Sequence, residues 1–126
     1  MNAFEQKRCQ SMAEEIAQKI FINEELFNAF CQIPREIFSP LKAHAYRLDA
    51  LPLANSQWIS SPLTVAKMTM ALNFKDADSV LEIGCGSGYQ AAILSKIIRR
   101  VFTIERIENL AKKAAQTFRE LELFNI

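Results

Sequence analysis

Glycine is nearly absent from this 126-residue chain: there are three, Gly84, Gly86 and Gly88, all within the stretch SVLEIGCGSGYQAAI. Cysteine is also sparse, at Cys9, Cys31 and Cys85, an odd number with no C-x-x-C spacing. That excludes a disulfide framework and gives no zinc-site pattern, so no metal is expected. Histidine occurs once, as His44, and no Ser-His-Asp arrangement accompanies it. Excess charge is missing too: 15 basic side chains face 14 acidic ones, a net of +1. Such balance leaves no electrostatic footprint for nucleic acid or an anionic membrane surface. No apolar run reaches the roughly 18 residues of a membrane span. The start, MNAFEQKRCQSMAEE, has no basic segment leading into an apolar one, so no secretory signal is expected and a cytoplasmic location is the default.

What is present divides at about residue 78. Upstream, Phe4, Met12, Ala13, Ile16, Ala17 and Ile20 recur at three- and four-residue steps and predict an amphipathic helix. NEELFNAFCQI predicts a second, with Asn23 as N-cap and Pro34 closing it. Residues 35–57 lose periodicity and are punctuated by Pro40 and Pro52; irregular structure is expected, with a short helix around Leu41 to Tyr46. SSPLTVAKMTMAL predicts a third helix, capped by Ser61 with Pro62 at its first position.

Downstream, SVLEI and RVFTIE are short β-rich runs, each followed by a helical pattern, YQAAILSKII and ENLAKKAAQTFRELEL. Strand, glycine loop, helix, strand, helix is the opening of a doubly wound α/β sheet with parallel strands buried on both faces. Two strands make no covered sheet, and the chain stops at LFNI, where a third would start. The expectation is an N-terminal part of a larger α/β domain, or a chain completed by a partner.

A glycine-rich turn after a first parallel strand is where such folds bind nucleotides. Here the spacing is G-x-G-x-G, and Tyr89 occupies the place of the third glycine of a dinucleotide fingerprint. No Gly-Lys-Ser/Thr follows, which excludes a Walker A loop. Glu82 precedes the loop in its strand, and Glu105 ends the next strand, where a carboxylate can accept from two ribose hydroxyls. A bare loop flanked by two acids suits a nucleoside without pyrophosphate and with positive charge, and S-adenosylmethionine fits that description better than NAD. The bland alternative is a structural turn with two solvated carboxylates. Cys85 reads as a small filler and Met68 and Met70 as helix packing.

VLEIGCGSGYQAAIL followed by VFTIERIENL resembles the cofactor-binding half of protein-L-isoaspartate O-methyltransferases. The resemblance extends upstream: IPREIF is similar to that family's V-P-R-E-x-F, and LPLANSQWISSPLTVAKMT to its L-P-x-x-x-x-Q-T-I-S-Q-P-x-x-V-A-x-M-T. It implies an α/β, Rossmann-like class I methyltransferase fold, incomplete here: N-terminal helices plus the first two strands and helices of the doubly wound sheet. Residues 1–78 would form the helical and active-site segment, and 79–126 the start of the S-adenosylmethionine-binding domain.

The resemblance further implies methyl transfer to the α-carboxylate of L-isoaspartyl residues in damaged proteins. The resulting ester collapses to a succinimide on the way back to a normal linkage. Ser60 falls on the family's active-site serine; Gly84, Gly86, Gly88 and Glu105 fall on its cofactor site, with Glu82 beside them. From spacing alone, Ser60 before Pro62 reads first as a helix cap, and it is the resemblance that makes it an active-site residue. Trp58 stands where the family has threonine, Ser61 where it has glutamine, and Ala54 and Ser56 where glycine is frequent. The alternatives are an inactive fragment of such an enzyme, or another class I methyltransferase acting on a small molecule or RNA.

Overall fold

A computed structural model describes residues 1–126. The N-terminal half is helical. Helix α1 (Ala3–Lys19) opens on a capping box in which Asn2 and Glu5 satisfy each other's backbone N–H groups. Helix α2 (Glu24–Gln32) is capped by Asn23, whose side chain accepts from the Leu26 amide, as the sequence predicts. Met12, Ala13 and Ile16 of α1 and Leu26, Ala29 and Phe30 of α2 are fully buried and form one end of the core.

The stretch 35–57 is more ordered than its broken periodicity suggests. A 3₁₀ turn spans Arg35–Phe38 and a second Lys42–His44, where the sequence predicts a short helix. Strands β1 (Leu51–Leu53) and β2 (Gln57–Ile59) pair antiparallel as a hairpin that the sequence reading does not foresee. The reason is physical: three-residue strands are too short to show alternation, and Pro52 argues against a strand. The hairpin delivers the chain to helix α3 (Pro62–Ala71), where Ser61 caps Thr64 and Pro62 sits at the first position, as expected.

Strand β3 (Ser79–Ile83), helix α4 (Tyr89–Ser95), strand β4 (Arg100–Ile104) and helix α5 (Glu108–Glu120) follow in the predicted order. The two strands are parallel and in register, Leu81 beside Phe102 and Glu82 beside Thr103. Helix α4 is buried nearly all round, with Tyr89, Ala91, Ala92, Ile93 and Leu94 all inside, so it fills the centre between α2 and the sheet. One expectation is corrected here: the sheet is buried on one face only. Val101 points into the core, while Leu81, Ile83, Phe102 and Ile104 stand 52–75% exposed on the other face. At the far edge of β4, the Val101 amide donates to the Asn125 carbonyl at 2.9 Å. The Asn125 amide in turn caps the carbonyls of Ser95, Ile98 and Arg99.

Candidate functional site

The turn after β3 is built by continuing the ladder. Gly84 and Cys85 both donate to the Ile104 carbonyl, at 2.9 and 3.0 Å, before the chain swings into α4. All three glycines then adopt positive φ: 89° at Gly84, 56° at Gly86 and 96° at Gly88. Their surroundings differ. A Cβ at Gly84 would meet nothing within 4 Å, so this glycine leaves open space for a ligand against bare backbone. A Cβ at Gly88 would lie 2.7 Å from Phe118, so this glycine lets the loop pack against α5.

A cavity of about 380 Å³ lies over the loop, within the range of about 300–1,000 Å³ usual for ligand pockets. Its wall brings together Ser60, Glu82, Gly84 and Gly86 from the predicted set, with Trp58 and Tyr89 beside them. Gly88 is buried below, and Glu105 lines an adjoining hollow against α5; Cys85 borders both. Ser60 is exposed at the cavity, immediately after β2, and its hydroxyl has no partner in the protein. The capping duty that spacing alone allowed for Ser60 belongs to Ser61, which leaves Ser60 free.

The two acids are tuned in opposite directions. Glu82 faces inward from β3, and burial is the main force raising its carboxyl from 4.5 to about 7. Thr103 opposes this by donating to Glu82 Oε1 at 2.6 Å, and the charge of Glu105 adds to the rise. Glu105 is held below the usual carboxylate range by backbone donors: Ile107 at 3.0 Å and Gly86 at 2.8 Å. Glu105 thus ties the glycine loop to the end of β4, and each of its oxygens keeps a further lone pair for a ligand. Burial pushes the Cys85 thiol up to about 11, so it is a neutral filler and no nucleophile. His44 lies on the surface beside Arg47.

Two participants escape sequence reasoning. Thr103 is identified only by strand register with Glu82. Arg35, inside the IPREIF segment, is fully buried beneath Ser60, where arginine is rarely found.

A parallel pair joined through a glycine turn and a buried helix, with an acid closing the second strand, defines the opening of a Rossmann-like class I methyltransferase fold. The protein-L-isoaspartate(D-aspartate) O-methyltransferase family profile matches residues 6–126, and the chain belongs to that family. A protein-L-isoaspartate O-methyltransferase of Helicobacter pylori (strain G27) is 51% identical over 117 residues, 91% of this chain and 56% of its own length. One from Proteus mirabilis is 46% identical over 106 residues, 82% of this chain and 51% of its own length. The chain therefore spans about half the length of the curated relatives it matches.

Among solved structures, a protein-L-isoaspartate O-methyltransferase superposes with a TM-score of 0.82 at 24% identity, covering 93% of this chain and 40% of its own. A Plasmodium falciparum β-aspartate methyltransferase in complex with S-adenosyl-L-homocysteine gives 0.76 at 18% identity, covering 88% of this chain and 55% of its own. At these identities the superpositions establish the shared fold.

Proposed function

We propose that the chain carries the cofactor and acceptor groups of an S-adenosylmethionine-dependent carboxyl methyltransferase acting on L-isoaspartyl residues of damaged proteins. The observation that carries the reading is Ser60, free and exposed, on the same cavity wall as Glu82, Gly84 and Gly86. Residues 1–78 supply the acceptor side and 79–126 the cofactor side. The cavity fits the cofactor by its size, by the open space at Gly84 and by the acids around it. Gly84 and Gly86 would lie against it, Glu105 would accept from its ribose hydroxyls, and Glu82 would face its positive charge. Gly88 acts one step removed, by seating the loop on Phe118. Bound there, S-adenosylmethionine supplies an electrophilic methyl group.

An isoaspartyl α-carboxylate is ionised at neutral pH and is its own nucleophile, so no residue need remove a proton. The work of the protein is alignment and exclusion of water. Ser60 Oγ donates to one carboxylate oxygen and leaves the other facing the methyl group. The exposed Trp58 beside it forms part of the acceptor mouth. A cytoplasmic location and partners limited to isoaspartyl proteins and peptides accompany this reading. The free cysteines and the near-neutral charge support it.

The test is transfer of a labelled methyl group from S-adenosylmethionine by the purified chain to a matched isoaspartyl and aspartyl peptide pair. Label on the isoaspartyl peptide alone supports the reading. Label on neither peptide removes catalysis from this chain.

A further inference from the structure

Arg35 is the largest fully buried side chain of the protein, and no carboxylate pairs with it. A buried guanidinium is ordinarily neutralised by an acid. Here four backbone carbonyls take that place. Nη1 donates to Ala45 at 2.6 Å and Arg47 at 3.2 Å; Nη2 donates to Asp49 at 3.2 Å and Ser60 at 3.1 Å. The guanidinium carbon also lies 5.6 Å from the centre of the Tyr89 ring, at the start of α4. One side chain thus gathers the 45–49 loop, the residue after β2 and the helix that follows the glycine turn.

The consequence falls on Ser60. Its carbonyl is fixed toward Arg35, and the next residue is fixed by its cap on α3. The peptide plane between Ser60 and Ser61 is rigid, so anchoring both sides restricts the backbone that carries the free hydroxyl. We propose that Arg35 is the positioning residue of the acceptor site, pinning the Ser60 carbonyl to the 45–49 loop so that Ser60 Oγ is presented to the cavity. This rests on the reading of Ser60 given above. The planar two-pronged shape of guanidinium is essential, because its two Nη groups reach four carbonyls at once, whereas a lysine ammonium offers three donors from a single point and cannot hold all four.

The test compares wild type with Arg35→Lys by three readouts: affinity for S-adenosylhomocysteine, KM for each substrate, and amide hydrogen exchange of residues 57–61. The expected result is a folded variant whose nucleoside affinity and cofactor KM stay within about twofold. Its KM for the isoaspartyl peptide rises at least tenfold, and exchange at 57–61 quickens at least tenfold while α1 and α2 stay protected. A folded variant with unchanged exchange at 57–61, or with both KM values raised alike, overturns the proposal. If wild type transfers no methyl group, the functional reading fails by itself, and exchange at 57–61 still decides whether Arg35 positions Ser60. Should the lysine variant not fold, guanidinium ¹⁵N resonances of wild type decide instead. One arginine with separate, slowly rotating Nη groups is expected, and averaged Nη signals for every arginine overturn the claim.

Discussion

Replacing Glu82 by glutamine is expected to stabilise the protein at alkaline pH while weakening its hold on a cationic nucleoside. In the folded chain the carboxyl titrates at about 7, chiefly through burial, against 4.5 for an ordinary glutamate. Between those values the folded state keeps a proton that the unfolded state has released. The stabilising contribution is therefore complete below about pH 4.5, declines as pH rises, and is gone above about 7. A shift of that size corresponds to at most about 3 kcal/mol, and partial solvent contact brings the expectation to about 1–3 kcal/mol. Glutamine carries no charge to desolvate and can still accept from Thr103 through its amide oxygen.

Urea denaturation followed by circular dichroism at pH 5, 6.5 and 8 isolates the effect as the difference between variant and wild type. That difference should be smallest at pH 5, about a quarter of its full size, and reach about 1–3 kcal/mol in favour of Glu82→Gln at pH 8. A difference that stays flat across this range, or a variant less stable than wild type at pH 8, would refute the assignment of Glu82 as a buried, strained acid. The functional counterpart is opposite in sign. Wild-type affinity for S-adenosylmethionine should rise from pH 6 to 8 as Glu82 ionises, and the variant should lose that slope.

Gly88→Ala places a Cβ 2.7 Å from Phe118 at a φ of 96° and should cost about 2–4 kcal/mol in chemical denaturation. Gly84→Ala meets no atom and should cost about 1–2 kcal/mol of strain, while reducing nucleoside affinity in calorimetry. Ser56 sits at φ 57° in the turn between β1 and β2, so Ser56→Gly should stabilise by about 0.5–1 kcal/mol, read as a higher urea midpoint. Ser60→Ala should leave both stability and S-adenosylhomocysteine binding within error and lower methyl transfer at least tenfold, since its hydroxyl has no partner in the protein.

Much of the fold is legible because its signals are local. The Asn23 and Ser61 caps and the β3 run SVLEI fall where composition puts them. The β1–β2 hairpin is not, because its turn uses Asn55 and Ser56 in left-handed conformations where glycine would have announced it. The family is legible in the Q-x-I-S-x-P stretch and the E-x-G-x-G-x-G loop together, and the profile match bears that resemblance out. Within the loop, however, the glycines look equivalent in sequence. Only packing separates Gly84, which faces open space, from Gly88, which faces an aromatic ring on a helix many residues away. Arg35 is hidden for a related reason: a charged residue reads as exposed, and its acceptors are carbonyls, which no side-chain pattern reveals.

The central claim is that the glycine loop is an adenosyl-cofactor site, and the composition offers a direct test. Labelling glycine with ¹⁵N should give three backbone resonances, one for each glycine of the chain, all of them in the loop. Titration with S-adenosylhomocysteine is expected to move Gly84 and Gly86 strongly and Gly88, packed against Phe118, least. Three resonances that stay fixed at millimolar ligand would contradict the account.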